Sequence, residues 1–235
     1  VAWAIGCGFS ILASCSPFVQ VTSQVKETET GVRIMPLGDS ITQGDRNHNS
    51  YRRPLWLKLR NAGYSVNFVG STKAHYLGNA PNSDFDQDHE GRWGWQVDEV
   101  LGQIDQWMRN AKPDIVLIHL GTNDISRGQS FDSTIDELGQ LIRKIRKQQP
   151  NVKILLAQLI PATNSEELIQ PFNQRIVTLA RSLSTSDSPV IAVDQFSGFN
   201  PSQDTYDGWH PNDAGEQKMA ARWFEALRTV LPSRR

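Results

Sequence analysis

Cysteine is nearly missing from this chain of 235 residues: the two present, Cys7 and Cys15, both lie near its start. The long remainder can therefore hold neither a disulfide framework nor a cysteine-based zinc site. Charge of one sign is not in excess either. Lys and Arg number 24 against 25 Asp and Glu, so neither nucleic acid nor an acidic polymer is indicated as a partner. The one basic cluster, Arg143, Lys144, Arg146 and Lys147, alternates with Ile142 and Ile145 and reads as the solvated face of a helix. No histidine cluster accompanies Asp207, His210 and Asp213, so no metal is expected there. "DFDQDHEG" (84–91) has the alternating aspartates of a calcium loop, but His89 stands where that loop needs glycine and Trp95 where it needs glutamate. No cofactor is expected. Beyond the first twenty residues no apolar run is long enough to span a bilayer.

Those first residues, "VAWAIGCGFSILASCSPFVQ", form an apolar run with small residues toward its end, like the later part of a secretory signal. Leu12-Ala13-Ser14-Cys15 also resembles the lipobox of bacterial lipoproteins, which would put a lipid anchor on Cys15. The expectation is an exported protein, extracellular or held at the bacterial cell envelope. Residues 1–19 are taken as signal or lipoprotein segment, and 20–31, "QVTSQVKETETG", as a polar linker. Residues 32–235 are expected to form a single domain, with the monomer favoured.

Within 32–235, five apolar runs read as buried strands: "VRIMPL" (32–37), "VNFVG" (66–70), "DIVLIHL" (114–120), "VKILLAQLI" (152–160) and "PVIAVD" (189–194). Near-continuous apolar character suits strands covered on both faces. Helical periods lie between them. Val97, Val100, Leu101, Ile104, Trp107 and Met108 repeat at three and four, as do Phe131, Ile135, Leu138, Leu141, Ile142 and Ile145. Tyr51, Leu55, Leu59 and Ala62 mark an earlier helix. Ile176, Leu179, Ala180 and Leu183 mark a later one with Pro171 near its start, and Met219, Trp223, Leu227 and Val230 the last. The alternation predicts an α/β fold: a five-stranded parallel sheet between helix layers, joined by right-handed crossovers. Residues 71–95 show no clear period, and a loop that long is more often functional than idle.

Ligands of a parallel α/β sheet sit beyond the carboxyl ends of its strands. Gly38, Asp39 and Ser40 follow the first strand, Gly121, Thr122, Asn123 and Asp124 the third, and a loop into "DTYDGWHPN" (204–212) the fifth. Topology predicts that the three segments open on one edge. A free serine hydroxyl is a poor nucleophile, so Ser40 needs a base. His210 can accept a proton at neutral pH and return it. Asp207, three residues earlier, can fix its tautomer and stabilise the imidazolium. The chain order Ser, Asp, His also occurs in α/β-hydrolases, but their G-x-S-x-G elbow is absent. For an oxyanion, the Ser40 N–H, the Asn123 side-chain amide and a glycine of "HEGRWGW" (89–95) are candidate donors.

These four blocks, Ser40 in GDSIT, a glycine before the second long helix, Asn123 in GTND and His210 in DGWHP, resemble those of the SGNH, or GDSL, hydrolases over residues 32–230. "IMPLGDSITQG", "HEGRWGW", "AQLIP", "VDQFSGF" and "TYDGWHPN" are more similar still to carbohydrate esterase family 3, which includes acetylxylan esterases. The resemblance implies a flavodoxin-like, three-layer αβα sandwich and metal-independent deacetylation of acetylated carbohydrate through an acyl-enzyme. It implies Ser40 as nucleophile, His210 as base and Asp207 as its orienter, with Gly94, aligned in preference to Gly91, and Asn123 joining the Ser40 amide in the oxyanion hole.

Other residues have plainer readings. Asp39 and Asp124 are expected to fix loops through side-chain-to-backbone bonds, and His119 to be a satisfied core histidine. Trp93, Trp95 and Trp209 flank the proposed catalytic positions and could stack on sugar rings or simply pack. Arg46, Arg52 and Arg53 could contact a polar substrate or serve structural pairs. The alternative functions are hydrolysis of another acyl substrate (lysophospholipid, thioester or short-chain aryl ester) and, less favoured, a catalytically silent carbohydrate-binding module.

Overall fold

The computed structural model describes residues 1–3 and 31–232. Nearly all of the expected export segment, Cys15 included, and nearly all of the polar linker lie outside the described residues.

The five expected strands form one parallel sheet. In chain order they are β1 (Val32–Gly38), β2 (Val66–Phe68), β4 (Ile115–His119), β5 (Lys153–Ala157) and β6 (Val190–Val193), with spatial order β2-β1-β4-β5-β6. This is the order of a flavodoxin-like sheet. A sixth strand, β3 (Glu90–Gly91), was not expected: it pairs its two residues with Leu37 and Gly38 of β1. The long unperiodic segment 71–95 thus returns to the sheet at the end of the strand that delivers Ser40.

Alternate residues of each central strand enter opposite apolar layers. Met35, Leu37, Val116, Ile118, Ile154 and Leu156 meet α3 (Val97–Ala111), α5 (Phe131–Gln148) and α6 (Glu166–Leu183) on one face. Ile34, Ile115, Leu117 and Leu155 meet α2 (Arg52–Asn61) and α8 (Asp213–Arg228) on the other. A strand buried on both faces has no polar alternation to display, which is why these runs read as continuously apolar. Burying each such Leu or Ile contributes roughly 1.5–3 kcal/mol. Among the described residues no helix is long and apolar enough to cross a membrane.

Local chemistry sets the helix starts. Gln96 and Glu99 form a capping box at α3, the Ser130 side chain accepts from the Ser133 N–H at α5, and Asn212 accepts from Ala214 and Gly215 at α8. Pro171 lies inside α6 rather than at its first residues. Three short helices follow strands or precede the last turn: α1 (Ser40–Gln43), α4 (Thr122–Ser126) and α7 (Pro201–Asp204).

Candidate active site

β1 ends at Gly38, and the chain turns at once into α1. Asp39 caps that helix, its Oδ1 accepting from the Ile41 N–H at 3.0 Å. Ser40 therefore stands at a helix N-terminus, and its own N–H has no protein partner among the described residues. β4 ends at His119, level with Gly38 in the sheet, so the next turn sets Asn123 on the same edge.

The third segment is built around a tight turn at residues 204–212. Gly208 has φ +91°, and a Cβ there would meet Thr163 Oγ1 at 2.8 Å, so only glycine fits. Its carbonyl accepts from the Thr163 N–H and its N–H donates to Thr205 Oγ1, both at 2.8 Å. Asp207 Oδ1 accepts from the N–H groups of Trp209 at 2.9 Å and His210 at 2.8 Å. That leaves Oδ2 facing His210 Nδ1 at 2.7 Å, while His210 Nε2 lies 2.9 Å from Ser40 Oγ. Burial pushes the Asp207 carboxyl up, but the His210 N–H, the His210 ring and the Trp209 N–H together hold it below the usual carboxylate range. With a carboxylate at Nδ1, the proton sits there and Nε2 presents its lone pair to Ser40.

The turn at 93–95 is gripped from three sides. The Trp93 N–H donates to Gln43 Oε1 at 2.7 Å, Arg127 Nη2 donates to the Gly94 carbonyl at 2.8 Å, and Asn123 Nδ2 donates to the Trp95 carbonyl at 2.9 Å. Gly94 itself has φ +76°, and its N–H has no protein partner among the described residues. Gly91 differs: its N–H donates to His89 Nδ1 at 2.9 Å. Asn123 spends one amide hydrogen on Trp95 and keeps the second.

The three tryptophans part company. Trp93 stacks on the His210 ring with centroids 4.6 Å apart. Trp95 stacks on Trp107 at 6.0 Å, and both Trp95 and Trp209, partly buried, pack against the apolar layer over α3 and α5.

Other expectations resolve in the same frame. Asp39 and Asp124 do fix loops, Asp124 Oδ1 accepting from the Val97 N–H at 3.1 Å. Burial pushes Asp39 up to about 7 and Asp124 up to about 6. His119 is fully buried, but only its Nε2 is paired, weakly, with the Ile160 N–H at 3.4 Å; Nδ1 has no partner. Arg53 pairs with Asp84, Asp86 accepts from the N–H groups of Phe68 and Asp88, and Asp88 Oδ2 lies 3.8 Å from Lys73 Nζ, so all three aspartates of 84–88 have protein partners.

Sequence reading left Arg52 open between substrate contact and structural pairing, and it missed Glu216. Arg52 is fully buried: Nε donates to the Thr42 carbonyl at 2.8 Å, Nη2 to the Gln43 carbonyl at 2.8 Å and Nη1 to the Gln87 carbonyl at 2.9 Å. It fastens the nucleophile turn to the long 71–89 segment. Its signal was present, a cation in the apolar stripe with Leu55 and Leu59. Glu216 of α8 is also buried, with Oε1 unpaired, and shares with Ser40, Gly44, Ser50, Tyr206 and His210 a cavity of about 10 Å³. That is room for one water or methyl-sized group. Burial pushes the Glu216 carboxyl up to about 8.

Residues 37–218 match the GDSL-like Lipase/Acylhydrolase family. A family 3 carbohydrate esterase from Talaromyces cellulolyticus is 34% identical at TM-score 0.77, with 85% of this chain and 97% of that one covered. An acetyl esterase mutant solved with an acetate ion gives the same values: 34% identity, TM-score 0.77, 85% and 97% coverage. A multidomain esterase of Ruminococcus flavefaciens is 28% identical over 97% of this chain, which spans only 32% of that protein. Each curated relative matched is spanned over less than two thirds of its length. The chain belongs to the GDSL-like lipase and acylhydrolase family of carboxylic ester hydrolases, of the kind represented by the family 3 carbohydrate esterases.

Proposed function

We propose that this protein removes acetyl groups from acetylated carbohydrate, an acetylxylan-like substrate, through an acetyl-enzyme on Ser40. The observation that carries the reading is the unbroken relay from Asp207 Oδ2 to His210 Nδ1 at 2.7 Å and from Nε2 to Ser40 Oγ at 2.9 Å. Ser40 Oγ attacks the ester carbonyl while His210 Nε2 takes its proton. The Ser40 and Gly94 N–H groups and the second amide hydrogen of Asn123 receive the oxyanion, the helix N-terminus adding to the first. Collapse breaks the bond to the sugar oxygen, which leaves with the proton from His210. Water, deprotonated by His210, then attacks the acetyl-Ser40 carbonyl, and acetate leaves as Ser40 regains its proton.

One observation favours acetyl over longer acyl groups: a structure 34% identical to this chain is named as an acetyl esterase. The apolar run ending near Cys15 favours action outside the cytoplasm, where such polymers occur.

Ser40→Ala is expected to abolish acetate release from acetylated xylan and from p-nitrophenyl acetate, with an unchanged circular dichroism spectrum. Retained activity would remove Ser40 from the mechanism. A panel of chain-length esters should decline steeply beyond the acetyl; preference for eight carbons or more would overturn the acetyl reading.

A further inference from the structure

His210 is the middle ring of a five-ring column. Trp93 lies on one face at 4.6 Å and 18°, and Tyr76 lies on Trp93 at 4.1 Å and 15°. Tyr206 lies on the other face at 5.7 Å and 16°, and His48 lies on Tyr206 at 4.0 Å and 6°. The column is tied at one end by a second carboxylate. Asp45 Oδ2 accepts from the Tyr206 hydroxyl at 2.9 Å, and Oδ1 faces His48 Nδ1 at 2.9 Å while accepting from the His48 N–H at 2.9 Å and the Asn47 N–H at 2.7 Å. Asp45 is almost fully buried.

The bond to Asp207 fixes one atom of the imidazole and leaves the ring free to tilt about it. Nε2 must nevertheless stay in line with Ser40 Oγ and return there after each proton transfer. A flat ring against each face leaves one plane open, and aromatic faces also favour the positive charge that the ring acquires in the transition state. We propose that Trp93 and Tyr206 are positioning residues that hold the His210 imidazole in its working plane, with Asp45 and His48 fixing the Tyr206 ring from outside. The proposal rests on the role given to His210 above. It also gives Trp93 a task other than sugar stacking.

The test uses a small fluorophosphonate, which reacts with the activated serine and carries no sugar, beside p-nitrophenyl acetate kinetics. Trp93→Leu is expected to slow labelling of Ser40 about tenfold and Tyr206→Leu about threefold or more. For both, kcat for p-nitrophenyl acetate should fall in step with KM unchanged. Trp93→Phe restores a ring and is expected to stay within about twofold of wild type. Tyr206→Phe, which cuts the tie to Asp45, should fall between wild type and Tyr206→Leu. Because Tyr206 is an exposed ring, at 40%, its variants carry the test should Trp93→Leu fail to fold. Labelling of both leucine variants at the wild-type rate, with KM rising only on acetylated xylan, would make these rings sugar-binding surfaces and overturn the proposal. So would a Trp93→Phe enzyme as slow as Trp93→Leu. A wild-type enzyme that does not label at all would instead overturn the catalytic reading, and this proposal with it.

Discussion

The N–H of Gly91 is held by His89 Nδ1 at 2.9 Å, while three residues on the N–H of Gly94 has no protein partner among the described residues. Two glycines of one short motif thus have separate tasks. A methyl group on Gly91 would lie 2.6 Å from the Gln43 nitrogen, in the backbone of the nucleophile turn. Gly91→Ala is therefore expected to lose about 1–3 kcal/mol of stability, read as a lower Tm. At Gly94 a methyl group meets nothing nearer than Arg127 Nη2 at 3.6 Å, and the cost is the positive φ, about 1 kcal/mol. Gly94→Ala should remain folded and lose roughly tenfold in kcat as its N–H shifts. The reverse pattern, a stable Gly91 variant with the catalytic defect, would exchange their roles.

Asn123→Ala removes an oxyanion donor and the grip on the Trp95 carbonyl. The expected loss is roughly 10²–10³-fold in kcat, measured on p-nitrophenyl acetate with labelling of Ser40 still detectable. A loss confined to KM would place Asn123 in substrate binding instead.

Asp207→Asn keeps the shape of the turn, because its side-chain oxygen can still accept from the Trp209 and His210 N–H groups. Its amide would donate to Nδ1 and drive the ring proton to Nε2, the wrong atom for a base. A fall in kcat of about 10³–10⁴-fold is expected, with Tm little changed. Near-normal turnover would show that His210 does not need this partner.

Arg52→Met fills the same space but leaves the carbonyls of Thr42, Gln43 and Gln87 without their donors. A destabilisation of about 3 kcal/mol or more is expected in urea melts, accompanied by faster proteolysis within 71–89. A variant as stable as wild type would make the clamp dispensable.

Glu216 gives a pH signature. Its carboxyl, ordinarily near 4.5, is pushed up to about 8 by burial. A raised folded-state value means that its contribution to stability is complete below pH 4.5 and is lost as pH rises toward 8, at most roughly 1.4 kcal/mol per pH unit. Glu216→Gln cannot titrate. Its Tm should exceed that of wild type by an amount that grows between those limits and is largest near pH 8. Parallel profiles for the two proteins would refute the burial-driven shift.

The sheet was legible because strands buried on both faces cannot hide: Met35 and Leu37 go one way and Ile34 the other, so β1 reads as one apolar run. The edge that gathers Ser40, Asn123 and His210 was legible for a related reason, since in a parallel sheet whatever follows a strand must lie there. β3 was not, because two residues carry no period and its pairing is decided by β1. The ring column was not legible either. Its members come from positions 48, 76, 93, 206 and 210, at spacings that match no repeat, and only the folded chain brings their faces parallel. For Trp95 and Trp209 residue type left sugar stacking and packing both open, and the fold adds that each packs, partly buried, against the apolar layer over α3 and α5.

Arg52 holds the carbonyls of Thr42 and Gln43 with one guanidinium and that of Gln87 with the same group. The catalytic turn and the long segment beside it consequently share this buried post, in addition to the Tyr76 N–H bond to the Gly44 carbonyl at 3.0 Å and the Gln43 Nε2 bond to the Ala74 carbonyl at 3.2 Å. Anyone grafting, trimming or exchanging residues 71–89 to alter which ester is accepted would be shifting the anchorage of Ser40 as well, and specificity and turnover should prove hard to engineer apart in this protein.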